Sequence, residues 1–141
     1  MLVSDTQVTN TTWSSAQTHG WFGGGYATPP GGGSFSRVDR IDFSNDTATA
    51  NIRGSLSRTK SGTAATGNSN YGWFGGGNPG LSEVERIDFS NDSAATSPRG
   101  SLSAARYSVV GNTVANSNYG YFGAGKRGFP AIAQVITSAV D

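Results

Sequence analysis

The side chains best suited to chemistry lie in two short acidic segments. Residues 42–46 and 88–92 each hold two Asp and one Asn at matching positions. Several such oxygens close together can bind a hard cation such as Ca²⁺. Their spacing differs from that of an EF-hand loop, and Asn and Asp also favour tight turns. We therefore interpret both segments as hairpin turns and predict no metal and no cofactor.

Arginine and aspartate alternate in the same two regions. Arg40 and Asp42 are two positions apart, as are Arg86 and Asp88, so each pair projects from one side of an extended strand. Both pairs recur with the repeat, which is typical of a scaffold rather than of a catalytic cleft. We interpret them as ion pairs or hydrogen bonds between neighbouring units.

No other group in the sequence predicts catalysis. His19, the only histidine, occupies the position of Tyr71 in the related segment, and no nucleophile or acid is identified as its partner. The absence of Cys excludes a thiol nucleophile. The glycine runs lack the Lys-Ser/Thr pair and the helix of a phosphate-binding loop. We predict that the protein is not an enzyme and has no catalytic residues.

The composition excludes two classes of partner. Only 13% of the 141 residues are charged, the net charge is +1, and Lys and Arg form no cluster, so no nucleic-acid partner is expected. No apolar run approaches the ~20 residues that span a bilayer, so no membrane insertion is expected. The length fits a single domain, residues 1–141.

One stretch organises the rest of the chain. Residues 68–77 return as residues 116–125, and a shorter copy occupies residues 19–25. Each places aromatic residues before a glycine run, as expected of a strand that ends abruptly. The repeated positions that we interpret as packing or turn residues are Trp21, Trp73, Tyr121, Gly75 and Gly76.

Strands and turns alternate in each repeat. Residues 6–13, 20–22, 37–43 and 47–52 predict strands, and residues 26–34 predict a loop. The repeat recurs at about 48 residues, within the range for a four-stranded propeller blade. The chain is therefore predicted to be all-β, with three such blades, the last incomplete. Their approximate bounds are residues 2–53, 54–100 and 101–141.

The pattern is similar to a kelch repeat. In that family a Gly pair closes the second strand, aromatic residues lie beside it, and an Arg follows a small-residue turn. The matching residues are Gly75, Gly76, Tyr71, Trp73 and Arg58 or Arg106. Residues 68–77, 86–92 and 99–103 more closely resemble tandem copies in kelch-like proteins of marine cyanophages and related phages. The resemblance implies a propeller in a virion or tail, or an extracellular one, and nothing about catalysis.

Three blades do not close a propeller ring, since the usual rings hold ~4–8 blades. Two chains related by a two-fold axis would give six, so we predict a homodimer or an association with other virion proteins. The alternative with three units of this size is the β-trefoil, which closes as a monomer.

The loop over residues 26–34 is the best candidate for ligand binding, because it is extra to the repeat and loops on rigid scaffolds often carry recognition. Its candidate residues are Tyr26, Pro29, Pro30 and Ser34. A tolerated insertion would explain the same loop. The predicted function is a structural or adhesive subunit that mediates assembly or host-surface attachment. The alternative is a lectin-like module that binds a cell-surface glycan.

Overall fold

The computed structural model describes residues 18–28, 30, 32–107, 114–115, 120–122 and 125–127. Over these residues the chain is all-β and its sheets are antiparallel, as the sequence predicts. Their helical structure amounts to one 3-10 turn, Phe89–Asn91. No helix in this part of the chain has the length and apolar character needed to cross a membrane.

The first sheet surrounds one long strand. Its members are β1 (His19–Gly23), β2 (Tyr26–Ala27), β3 (Gly33–Asp42) and β4 (Asn51–Lys60). β3 pairs with β1, β2 and β4, each time antiparallel. We call residues 18–60 unit 1.

The second sheet is a meander in which each strand pairs with the next along the chain. Four of its five members are β5 (Ala64–Gly67), β6 (Tyr71–Gly75), β7 (Leu81–Asp88) and β8 (Ser97–Tyr107). We call residues 61–107 unit 2. Beyond it, β9 (Val114–Ala115) pairs with β10 (Gly120–Tyr121), and β11 (Lys126–Arg127) pairs with the end of β8. These three short strands are the described part of unit 3.

The two large sheets repeat the same register. Trp21 lies opposite Arg40 in unit 1, and Trp73 lies opposite Arg86 in unit 2. In both units the pairing of the two longest strands is interrupted by irregularities in its register. The sequence repeat is therefore a repeat of structure in these two units.

One strand begins later than the sequence predicts. Residues 47–52 were expected to be extended, but β4 begins only at Asn51 and continues to Lys60, across the predicted boundary near residue 53. The Ala48 N–H donates to the Asn45 carbonyl (3.2 Å), because the Asn-Asp sequence forms a turn that extends over the following small residues.

The loop expected over residues 26–34 is partly a strand. Tyr26 lies opposite Ser34, so β2 and the start of β3 form an antiparallel pair within it. The aromatic residue favours this extended conformation, which the turn-rich composition of the loop obscured. Another predicted strand, residues 6–13, lies outside the described residues.

The glycine run ends β6 as predicted. Gly76 has φ = 67°, in the left-handed region that favours glycine, and its N–H donates to the Glu83 carbonyl (3.0 Å). Gly75 lies against the neighbouring unit, since a Cβ there would be 3.1 Å from the Phe122 ring. The two glycines therefore have different roles, one in the turn and one in packing.

The hydrophobic core lies between units rather than within them. One cluster joins units 1 and 2, with Trp21 and Phe89 packed against it: Val38, Leu56, Phe74 and Ile87. A second joins units 2 and 3, with Trp73 and Val84 packed against it: Ala64, Leu102 and Phe122. Each buried large side chain contributes about 1.5–3 kcal/mol, so the units depend on one another for stability.

Candidate functional site

Asp92 is the centre of a polar cluster between units 1 and 2. Its Oδ2 accepts hydrogen bonds from Trp21 Nε1 and from Arg40 Nη1, both at 2.9 Å, and Arg53 Nε lies 3.7 Å away. Asp92 is only 7% exposed, so these contacts are shielded from water. Arg40 thus makes an ion pair between units, with Asp92 of unit 2, whereas Asp42 contacts residues of its own unit.

The backbone around Asp92 also contacts unit 1 directly. The Gly54 N–H donates to the Asp92 carbonyl (2.8 Å), and a Cβ at Gly54 would lie 1.9 Å from the Ala94 carbonyl oxygen. Only a glycine at position 54 permits so close an approach of strand β4 to the turn that contains Ala94. In the same contact the indole of Trp21 stacks on Phe89, with ring centroids 3.9 Å apart.

A second cluster is centred on Glu85, which is 1% exposed. Lys60 Nζ of unit 1, 0% exposed, donates to Glu85 Oε1. The Ser57 N–H donates to Oε2 and the Ser57 hydroxyl to Oε1, both at 2.8 Å, and the Thr96 hydroxyl also donates to Oε2. The carboxylate therefore has partners on both of its oxygens.

These partners decide the ionisation of Glu85. Burial alone raises the pKa of this carboxyl group, but the hydrogen bonds from Lys60, Thr96 and Ser57 outweigh it and lower the pKa from 4.5 to about 2. Glu85 is thus ionised at neutral pH and inaccessible to solvent. It is suited to holding two units together and not to exchanging a proton with a bound molecule.

The predicted acidic segments form turns in both units. Asp42 Oδ1 accepts from the Ser44 N–H (2.8 Å) and hydroxyl (2.6 Å), and Asp88 Oδ1 accepts from the Ser90 N–H (2.9 Å) and hydroxyl (2.6 Å). The Ser hydrogen bonds lower the pKa of both carboxyl groups. No cluster of three or more acidic, His or Cys side chains suited to a metal occurs in the described residues.

Arg86 occupies the position of Arg40 but has different surroundings. Its guanidinium carbon lies 4.0 Å from the centroid of the Tyr71 ring, within cation–π distance. Its buried Nε has no hydrogen-bond partner among the described residues. His19 occupies the position of Tyr71, since it lies opposite Asp42 as Tyr71 lies opposite Asp88.

The structure brings together only some of the predicted ligand-binding residues. Tyr26 is 64% exposed, and Ser34 lies opposite it across the β2–β3 pair, with its hydroxyl 3.4 Å from that of Ser61. Pro30 is exposed, and Pro29 lies outside the described residues. The loop therefore presents one large exposed ring, that of Tyr26.

A cleft of about 190 Å³ lies at the edge of the contact between units 1 and 2. Its lining includes the indoles of Trp21 and Trp73, the Phe89 ring and Thr66. The Thr66 hydroxyl is buried and has no partner among the described residues. The partly exposed Trp73 indole in this lining is compatible with stacking on the face of a sugar.

Sequence reasoning missed the Glu85 cluster. Glu85 and Lys60 lie on strands of alternating character, where a charged residue is expected to face solvent. The available signal was that a basic residue stands at matching positions in units 1 and 2, Lys60 and Arg106. The structure shows that both are buried. Comparison of the sequence with protein-family models and with curated proteins found no match to either.

Proposed function

We propose that this chain is a non-catalytic structural or adhesive subunit, a partial kelch-like β-propeller of a phage particle or tail. The observation that carries the proposal is the use of repeated side chains between units. Trp21, Arg40 and Arg53 of unit 1 all meet Asp92 of unit 2. Residues that recur in order to join units are expected of a scaffold whose task is assembly.

The antiparallel meander of unit 2 supports a propeller over the alternative β-trefoil. Its four strands β5–β8 pair in chain order, as in a propeller blade, and it contacts unit 1 through an apolar cluster together with the Asp92 and Glu85 hydrogen bonds. In this proposal two chains complete a six-bladed ring, or other virion proteins supply the missing blades. The protein would then lie in the virion or outside the cell.

Solution mass tests the assembly function. Light scattering of the purified chain is expected to give about 29 kDa, twice the 14.5 kDa of one chain. A well-folded particle of 14.5 kDa at every concentration up to about 0.1 mM would contradict self-assembly and favour the trefoil. Added virion proteins that raise the mass of such a monomer would retain the structural function with a different partner.

The cleft beside Trp73 favours carbohydrate binding as a second candidate function. A glycan array followed by calorimetry would test it, because stacking on an indole is lost in Trp73→Ala. In the predicted loop Tyr26→Ala tests the other exposed ring, and Ile52→Ala, at a residue that is 65% exposed, is the control. Saturable binding that is abolished by Trp73→Ala or by Tyr26→Ala, but not by Ile52→Ala, supports the lectin-like function. An array with no saturable ligand contradicts it.

A further inference from the structure

The contact between units 1 and 2 is directional. Unit 1 contributes what we call the donor face, which consists of one indole, two guanidinium groups and a glycine: Trp21, Arg40, Arg53 and Gly54. Unit 2 contributes an acceptor face of two rings and a carboxylate: Phe74, Phe89 and Asp92. Because the two faces differ, the contact is heterologous and each unit carries one face of each kind.

The same direction continues from unit 2 to unit 3. Leu102 and Trp73 of unit 2 contact Phe122 of unit 3 in the second apolar cluster. In the first cluster Leu56 and Trp21 contact Phe74 in the same way. Successive units therefore join by one kind of contact. Unit 1 uses its donor face in the contact with unit 2, so its acceptor face takes no part in that contact.

Among the residues that the structure describes, none covers the acceptor face of unit 1 as unit 1 covers that of unit 2. Phe22 occupies the position of Phe74, yet Phe22 is 59% exposed and Phe74 only 3%. Asp46 occupies the position of Asp92 and is exposed, whereas Asp92 is 7% exposed. The residues are identical in type, so the difference arises from the neighbouring unit.

Phe43 shows what this face lacks. Its ring lies over Gly20, where a Cβ would be 2.9 Å away, just as the Phe89 ring lies over Gly72, where a Cβ would be 3.1 Å away. The other side of Phe89 carries the Trp21 indole at 3.9 Å, whereas Phe43 is 52% exposed. Phe43 is therefore positioned to receive an aromatic ring.

The described part of unit 3 offers such a ring. Tyr121 occupies the position of Trp21 and Trp73 in the repeat and is 41% exposed. A tyrosine can stack on a phenylalanine and donate one hydrogen bond, which are the two contacts that Trp21 makes with Phe89 and Asp92. Open acceptor and donor positions thus lie at opposite ends of the series of units.

We propose that a second copy of this chain docks its unit 3 on the acceptor face of unit 1, with Tyr121 against Phe43 and its hydroxyl donating to Asp46. The proposal rests on the proposed function and specifies its partner. The contact continues the geometry already present between units 1 and 2. With three units in each chain, two copies close a ring of six, which avoids an open filament.

Single charge substitutions test the contact. Phe43→Asp and Tyr121→Asp each bury a carboxylate in both contacts of the ring and are expected to weaken dimerisation by about tenfold or more. Ile52→Asp is the control, because Ile52 is 65% exposed and should lie outside the proposed contact. Its counterpart in unit 2, Pro98, remains exposed although unit 1 covers the acceptor face of unit 2. Sedimentation velocity measures the mass, and circular dichroism confirms folding.

Mixing the two variants tests the direction of the contact. Phe43→Asp chains keep an intact Tyr121, and Tyr121→Asp chains keep an intact Phe43, so an equimolar mixture restores one contact and is expected to form heterodimers in native mass spectrometry. A dimer that both variants leave intact would overturn the proposed contact while retaining the assembly function. If the wild type is monomeric and Phe43→Asp destabilises it, residues of the same chain cover the acceptor face of unit 1. That result would overturn both the proposed contact and the assembly function.

Discussion

Units 1 and 2 contain the same five-residue turn, Asp-Phe-Ser-Asn-Asp, in different surroundings. Within each turn the hydrogen bonds are nearly identical, since the Ser44 and Ser90 hydroxyls each lie 2.6 Å from the preceding Asp carboxylate. Outside the turn the environments differ. Asp92 is buried against three donors of unit 1, whereas Asp46 is exposed.

This difference separates two sources of structure. Local hydrogen bonds depend on residues two positions apart, so the same five residues form them in both units. Burial depends on whether another unit lies against the turn, which these five residues cannot specify. Matched substitutions at the two positions should therefore have unequal effects on stability, and the size of each difference measures what the neighbouring unit contributes.

The largest difference is expected at Glu85 and its counterpart Asp39. Glu85→Ala removes the nearest carboxylate of the buried Lys60 and leaves its Nζ with the longer contact to Glu83 Oε2 (3.5 Å), so we expect a loss of about 3–5 kcal/mol in the free energy of unfolding. Asp39 Oδ2 lies 3.0 Å from Nε of the exposed Arg37. Asp39→Ala is expected to lower the free energy of unfolding by less than about 1 kcal/mol. Urea denaturation measures both.

A double variant provides the control for Glu85. Lys60→Met combined with Glu85→Leu removes both charges, so it should recover much of the lost stability. If Glu85→Ala costs no more than Asp39→Ala, the buried pair does not join the units as inferred.

The same carboxylate predicts an acid-dependent loss of stability. The pKa of Glu85 is lowered from 4.5 to about 2 in the folded protein, so its stabilising contribution is complete above pH 4.5 and is lost as the pH falls towards 2. Over that range the wild type should lose about 3 kcal/mol more than Glu85→Gln. Parallel loss in the two proteins would show that other carboxylates cause the acid transition.

The all-β class and the turns could be predicted because they depend on short-range pattern. Aromatic residues before glycines indicated β1 and β6, and the Asn-Asp segments indicated both turns. The partners of those residues could not be predicted, since Arg40 pairs with a residue 52 positions away. Asp42, two residues further along the same strand, instead accepts hydrogen bonds from Ser44 in its own turn.

The buried charges were also beyond sequence reasoning. Lys60 and Glu85 lie 25 positions apart on strands of different units, and each is buried only because the units meet. Strand alternation assigns a side chain to one face of its sheet but does not say whether another unit covers that face.

A smaller difference is expected between Asp92 and Asp46. Asp92→Ala removes the acceptor for Trp21 and Arg40 and leaves these part-buried donors unsatisfied, which should cost about 2–3 kcal/mol. Asp46→Ala should change the stability of the dilute monomer by less than about 0.5 kcal/mol, as expected of an exposed residue. Thermal denaturation of the two variants under identical conditions makes the comparison. Equal losses would mean that Asp46 is covered as Asp92 is.

The smallest and most local difference is expected within the repeated Arg-Gly-Ser-Leu-Ser segment of β4 and β8. Gly54→Ala would bring a Cβ to 1.9 Å from the Ala94 carbonyl oxygen, so the strand and turn must separate, at a cost of about 1–3 kcal/mol. Gly100→Ala meets nothing within 4 Å and should be neutral or slightly stabilising, because alanine restricts the unfolded chain. Urea denaturation distinguishes them. A loss at Gly100 equal to that at Gly54 would mean that a turn like that of unit 2 lies against β8 as well, and the two units would then have equivalent surroundings at this segment.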